Sequence, residues 1–87
     1  MVYETITMEN GQCMHLRPAM NFAARMSGYD SRIRLESGGR TADGKSLVSL
    51  ISAGIGTGTQ VRIVCDGPDE EEMLHRAADL LRGTTGL

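Results

Sequence analysis

The sequence predicts an α+β fold in which helices cover one side of a four-stranded, mostly antiparallel sheet. Two patterns support this prediction: strand-like stretches alternate apolar with polar residues, and the stretches between them repeat apolar residues at helical spacing. The order of these stretches is β-α-β-β-α-β-α, and each has one hydrophobic face. A chain of 87 residues can build one core, so we expect a single domain over residues 1–87.

The first strand and the first helix follow from alternation and from helix-start residues. Residues 2–8 alternate in the way that predicts a strand. We expect the first helix over residues 16–27, because Pro18 suits a first helical turn and apolar residues follow it at helical spacing. Gly28 is expected to end this helix.

A hairpin and a short helix come next. Residues 32–36 alternate cleanly, which predicts a strand with one solvated face, and Gly38-Gly39 suits a two-residue hairpin turn. Residues 40–42 should therefore return as a short partner strand. Ser46 is a good N-cap for the helix that follows. One side of that helix is expected to contain Leu47, Leu50 and Ile51.

The last strand and helix close the domain. Residues 60–66 predict a strand, and its inward residues should be Val61, Ile63 and Cys65. Asp69 and Glu72 have the spacing of a capping box at the start of a final helix. The residues that this helix should bury are Met73, Leu74, Ala77, Leu80 and Leu81.

Composition excludes several classes of function. A formal net charge of −2 and 3% aromatic residues argue against nucleic-acid binding, and no apolar stretch is long enough to cross a membrane. Because no signal peptide is visible, we expect a cytoplasmic protein whose Cys13 and Cys65 are reduced thiols. Metal binding is not expected, since Cys65 should face the core and His75 should be a solvated helix residue.

The segment from His15 to Pro18 has the features of an anion site. His15 precedes a predicted helix N-terminus, where free amides and the helix dipole favour a phosphate. The same positive end disfavours the imidazolium form and leaves a neutral, nucleophilic imidazole. Arg17 adds a fixed cation with a forked set of donors. The pattern predicts that His15 carries a phosphoryl group that Arg17 stabilises.

The element order and several motifs resemble the histidine-containing phosphocarrier family, HPr, of the bacterial phosphotransferase system. The resemblance runs over nearly the whole chain. The matching residues are His15-x-Arg17-Pro18-Ala19, Phe22, Gly28, Lys45-Ser46-Leu47, Gly54, Gly58-Thr59 and Gly67-x-Asp69-Glu70. The resemblance implies an open-faced β-sandwich. It also implies that the Nδ1 atom of His15 accepts phosphate from phosphorylated enzyme I, itself charged by phosphoenolpyruvate, and that the carrier passes it to a sugar-specific enzyme IIA.

The resemblance also implies a docking surface for these partners, and here that surface is more apolar than is usual in the family. Many members carry basic residues where Ala24 and Ser27 stand, and small residues where Leu16 and Met20 stand. Cys13-Met14 replaces the usual glycine and leucine or isoleucine before the histidine. The residues expected to contact partners are Leu16, Met20, Leu47, Val48 and Ile51. The chain is expected to act as a monomer, without a cofactor and without turnover of its own.

Ser46 has a second role in some members of the family. The resemblance implies that an ATP-dependent HPr kinase/phosphorylase phosphorylates it, which would place negative charge beside the docking surface. Such a modification would control sugar uptake or engage a transcription regulator.

Two alternatives to the carrier hypothesis come from different classes. A regulatory HPr-like binding protein would use the same fold to control a transcription factor or an enzyme. The other alternative rests on residues 39–46, which match the pattern G-x-x-x-x-G-K-[ST] of a P-loop nucleotide hydrolase. A P-loop joins a buried parallel strand to a long helix, whereas Gly39 here lies at the turn of a predicted alternating hairpin. The sequence does not indicate which sugar or enzyme IIA is served.

Overall fold

The computed structural model of the protein describes residues 1–7, 16–53 and 60–82. Within these ranges the chain forms four strands and three helices. In chain order they are β1 (Val2–Thr7), α1 (Leu16–Met26), β2 (Arg32–Ser37), β3 (Arg40–Asp43), α2 (Leu47–Ala53), β4 (Gln60–Asp66) and α3 (Glu70–Arg82). This is the predicted order.

The four strands form one antiparallel sheet in the order β1-β4-β2-β3. The register pairs Ile6 with Val61 and places Leu35 between Ile63 and Ala42. These five side chains are buried, whereas their neighbours along each strand point to the opposite face, which is mostly solvated, although Val64 on that face is also buried. The predicted α+β fold, with an antiparallel sheet covered on one face, is confirmed.

The helices bury one hydrophobic stripe each against that face. Helix α3 packs on β1 and β4, α2 packs on β3, and α1 contacts both other helices. The buried residues of α1 are those predicted from helical spacing, namely Ala19, Phe22, Ala23 and Met26. On α3 the prediction is wrong at Leu74, which is only partly buried, while Ala78 joins the core. Within the described ranges, no helix is long and apolar enough to cross a bilayer.

The ends of several elements differ slightly from the prediction. Helix α1 ends at Met26 rather than at residue 27, although the Ser27 N–H still donates to the Ala23 carbonyl at 3.0 Å. Gly28 follows without adopting left-handed backbone. Strand β3 extends to Asp43, one residue beyond the prediction.

The turn between β2 and β3 is the predicted two-residue hairpin. Gly38 and Gly39 have φ values of 55° and 78°. Two successive positive φ values match the twist of an antiparallel hairpin and are cheapest for glycine. The turn sets the pairing of Ser37 with Arg40.

The predicted capping box between Asp69 and Glu72 is wrong. The Asp69 carboxylate instead accepts hydrogen bonds from the Asp30 N–H at 3.0 Å, the Ser31 N–H at 2.9 Å and the Ser31 hydroxyl. At this helix start the side chain that reaches back is that of Glu70, whose Oε1 accepts a hydrogen bond from the Gly67 N–H at 3.0 Å. The start of α3 is therefore bonded to the segment before β2, and the hydrogen bonds from Ser31 and Asp30 lower the pKa of Asp69.

Candidate functional site

Helix α1 places its N-terminus directly after the predicted phosphoryl acceptor. The helix begins at Leu16, and its buried stripe from Ala19 to Met26 anchors it to the core. The first amides of a helix have no partner within the helix, so this end carries free donors and partial positive charge. His15 itself, Cys13, Met14 and the side chains of Leu16 and Arg17 lie outside the described residues, so their predicted roles stay predictions.

The outward side of α1 and α2 presents large apolar side chains. Met20 is 52% exposed, Val48 74% and Ile51 42%, and Leu47 is half-buried. Helices α1 and α2 pack against each other. The prediction that Leu47, Leu50 and Ile51 share one side of α2 is wrong, because Leu50 is fully buried, Leu47 is half-buried and Ile51 is exposed.

Asn21 is a polar residue of this region that the sequence did not single out. Its side chain is half-buried, and its Nδ2 atom is buried without an acceptor among the residues that the structure describes. Asn21 lies one helical turn after Arg17, at i and i+4 spacing. Nothing in the sequence distinguishes it from a solvated helix residue, because its burial depends on how α1 packs.

Ser46 caps helix α2, as predicted. Its Oγ accepts a hydrogen bond from the Ser49 N–H at 3.2 Å, and its carbonyl accepts the first helical bond from the Leu50 N–H at 3.0 Å. Ser49 Oγ in turn accepts from the Asp43 N–H at 2.8 Å. Ser46 is half-buried, and the exposed Val48 follows it by two residues in the chain.

The geometry around Gly44 and Lys45 argues against a P-loop. All strand pairs in the described sheet are antiparallel, and Gly39 lies in the hairpin turn. Gly44 is buried, and a Cβ there would lie 2.7 Å from Ile33 Cγ2, so its role is close packing. Lys45 Nζ donates to the Tyr29 carbonyl at 2.7 Å. These residues support the hairpin and α2.

The remaining thiol and imidazole that the structure describes lie in different environments. Cys65 is fully buried in β4, and burial raises its pKa to about 11, so the thiol stays protonated at neutral pH. His75 lies on α3 with 84% of its side chain exposed, and its Nε2 is 3.8 Å from Asp79 Oδ2. Both placements agree with the sequence-based expectations.

Comparison with known proteins gives consistent results in sequence and in structure. A family model described as PTS HPr component phosphorylation site matches residues 2–82. The phosphocarrier protein HPr of Vibrio cholerae serotype O1 is 37% identical over 76 residues, which cover 87% of each chain. The crystal structure of HPr-C-His from Thermoanaerobacter tengcongensis superposes with a TM-score of 0.90 at 31% identity, over 100% of this chain and 98% of that one. A crystallised HPr dimer from the same organism has a TM-score of 0.75 at 31% identity, with both chains fully covered.

Proposed function

Because the chain belongs to the HPr family, the phosphocarriers of the phosphotransferase system, we propose that His15 is the residue that carries its phosphoryl group. The observation that supports this proposal is the start of α1 at Leu16, so that an anchored helix with free amides begins at the residue that follows His15 in the chain. Arg17, in the first turn of the same helix, is the second proposed contact of the phosphate.

The proposed chemistry is a reversible transfer between nitrogen atoms and needs no metal. The neutral Nδ1 of His15 attacks the phosphorus of phosphorylated enzyme I, the new P–N bond forms, and the bond to the donor breaks. The helix amides and Arg17 stabilise the added negative charge. In the second step an acceptor on enzyme IIA attacks the same phosphorus, and His15 returns to its neutral form. The carrier is therefore an intermediate without turnover of its own.

The partners dock, in this proposal, on the exposed apolar side chains near the start of α1. The exposure of Met20, Val48 and Ile51, on two helices that contact each other, supports it, because exposed large apolar side chains that group together mark interaction sites. Leu16 and Leu47 complete the proposed surface. We place the carrier in the cytoplasm as a monomer, where enzyme I and enzyme IIA reach this surface in turn.

Ser46 is the proposed site of regulation. Its Oγ lies at the N-terminus of α2, where a phosphate would be stabilised by the helix amides. The added charge would stand next to the apolar docking side chains and would weaken the binding of partners. The kinase for this step would use ATP, and a transcription regulator is the expected reader of the modified form.

A transfer assay tests the carrier function. The protein is incubated with labelled phosphoenolpyruvate and the enzyme I of its own organism, and acid-labile protein-bound label is measured. The wild type and the control variant His75→Ala should be labelled, and His15→Ala should not. Label that persists in His15→Ala, or no label in the wild type, would contradict the proposal. Transfer of the label from the protein to the matching enzyme IIA should require no nucleotide and no further phosphoenolpyruvate.

A further inference from the structure

The face of the sheet opposite the helices differs from an ordinary solvated sheet face. It consists of the residues that alternate with the core positions of β1, β2 and β4, and we call it the open sheet face. Its central members are Tyr3, Thr5, Arg32, Arg34, Arg62 and Val64. Tyr3 is 63% exposed, whereas Val64 is buried although it points away from the helices. An exposed aromatic ring beside a buried valine gives this face an apolar centre.

The apolar centre is flanked by arginine side chains. The register places Val64 between Tyr3 on β1 and Arg34 on β2. The guanidinium of Arg62 lies over the Tyr3 ring, with its Cζ atom 4.8 Å from the ring centroid, and this cation–π contact orders both side chains before a partner binds. Tyrosine and arginine are enriched in protein–protein interfaces and among the residues that dominate their binding energy. The open sheet face therefore has the composition of a docking surface.

The carboxylates of this face have partners within the chain, whereas two of its arginines do not. The contacts are Arg34 Nε with Glu36 at 2.7 Å, the Lys45 N–H with Asp43 at 2.9 Å and the Met1 amino group with Asp66 at 3.7 Å. Among the residues that the structure describes, no carboxylate forms an ion pair with Arg32 or Arg62. The charged groups that remain for a partner are therefore cations.

A groove on this face leads to one of the two unpaired arginines. Its volume is about 470 Å³, and the residues that line it include Met1, Arg32, Arg34, Thr41 and Val64. A partner's carboxylate in this groove would reach the guanidinium of Arg32, and an apolar side chain beside it would cover Val64.

We propose that the open sheet face is a second docking surface, and that it binds an acidic segment of a partner protein. Carboxylates of this segment meet Arg32 and Arg62, and an aromatic or aliphatic side chain between them covers Tyr3 and Val64. Arginine suits this role because its planar guanidinium binds a carboxylate through two parallel hydrogen bonds. The sheet separates this surface from α1, so the segment binds whether or not another protein covers the start of that helix. Neither His15 nor its phosphate takes part in this binding.

The charges of the open sheet face disfavour a nucleic acid as the occupant. Phosphates along a strand would meet the carboxylates of this face as well as its arginines, and the whole chain has a net charge of −2. A protein segment, in contrast, places single carboxylates opposite single guanidinium groups. The attraction then depends on a few specific pairs and weakens with salt.

A library of short random peptides displayed on phage is the probe for this surface. Peptides that bind the double variant Arg32→Gln/Arg62→Gln are removed first, and the remainder are selected on the wild-type protein. The enriched peptides are titrated against the wild type, the two single variants, Tyr3→Ala and the control Arg76→Gln, which makes the same change on α3. Fluorescence anisotropy gives the dissociation constants, and amide shifts of the ¹⁵N-labelled protein locate the bound peptide.

The enriched peptides should carry Asp or Glu beside an aromatic or aliphatic residue, and they should shift amides of β1, β2 and β4 but not those of α2. Arg32→Gln and Arg62→Gln should each weaken binding by about fivefold or more and Tyr3→Ala by about tenfold, because each removes one proposed contact. Arg76→Gln should bind like the wild type. Raising KCl from about 0.1 M to about 0.5 M should weaken binding to the wild type.

No enriched peptide, enriched peptides without acidic residues, or amide shifts confined to α1 and α2 would overturn the proposal. Tighter binding of an oligothymidylate than of the selected peptides would overturn it in favour of a nucleic acid. A wild-type dimer that Arg62→Gln dissociates would overturn it as well, since the occupant would then be a second copy. The probe needs neither enzyme I nor phosphate, so the result is independent of phosphoryl transfer to His15.

Discussion

Replacing Gly67 by alanine should be among the most destabilising single changes in this protein. Gly67 has a φ of 152°, a region that residues with a Cβ rarely adopt. A Cβ there would lie 2.6 Å from Ser31 Cα and 2.6 Å from Ser31 Oγ. Ser31 is buried and bonded to Asp69, so its backbone cannot move aside cheaply.

The expected loss of stability can be worked from these distances. Backbone strain costs about 1–3 kcal/mol and crowding against a packed neighbour about 1–3 kcal/mol. The smaller conformational freedom of alanine in the unfolded chain offsets roughly 0.4–1 kcal/mol. Because the clash includes the main-chain Cα of Ser31 and a side chain held by Asp69, we take the upper half of each range and expect a net loss of about 3–5 kcal/mol. That is a large fraction of the stability of a domain of this size.

Gly38→Ala is the matched control, because Gly38 also has a positive φ but a Cβ there would meet nothing within 4 Å. Its expected loss is about 1 kcal/mol or less, from left-handed backbone alone. Urea unfolding followed by circular dichroism measures the stability of each variant. The midpoint should fall by about 2 M for Gly67→Ala and by about 0.5 M for Gly38→Ala. Equal losses of unfolding free energy in the two variants would refute the reasoning, because the contact with Ser31 would then contribute nothing to the loss.

Three further predictions follow from single groups. Since the folded pKa of Asp69 is lowered, its carboxylate stabilises the fold above the unfolded pKa near 3.9, and this contribution is lost as pH falls through the folded pKa. The difference in stability between the wild type and Asp69→Asn should therefore be constant near neutral pH and shrink below about pH 4. In a Cys13→Ser variant, Cys65 should react with a thiol reagent at about pH 8 only as fast as the protein unfolds, and fast labelling would contradict its burial. Ser46→Ala should lose about 1 kcal/mol of stability in urea unfolding through the missing cap, yet remain a full acceptor at His15.

Most of the architecture could be predicted from local pattern. Strand β4 has the predicted bounds, because an alternating run between a polar residue and a Gly-Pro turn leaves little freedom in where pairing begins and ends. The hairpin at Gly38-Gly39 was equally predictable, since few other sequences accept two positive φ values in succession. The cap at Ser46 is also a local interaction, between residues three apart.

The predictions failed where a distant contact decides the outcome. Asp69 has the local spacing of a capping residue, yet its carboxylate bonds to Ser31, 38 residues away in the chain. Ile51 and Leu50 are equally apolar, and only the packing of α1 and β3 beside α2 determines that Leu50 is buried and Ile51 exposed. The same distinction holds within the candidate site. The start of α1 could be predicted from local sequence, whereas the burial of Asn21 could not, because it depends on how α1 packs.

The most direct test of the carrier account is to determine which atom carries the phosphate and whether the phosphate contacts the start of α1. The protein labelled with ¹⁵N is phosphorylated by phosphoenolpyruvate and enzyme I, and the imidazole and amide resonances are compared before and after. The account predicts a phosphoramidate on Nδ1 of His15 and large amide shifts in the first turn of α1, with His75 unchanged. A phosphate on His75, or a phosphorylated His15 that leaves the amides of residues 16–18 unperturbed, would contradict it.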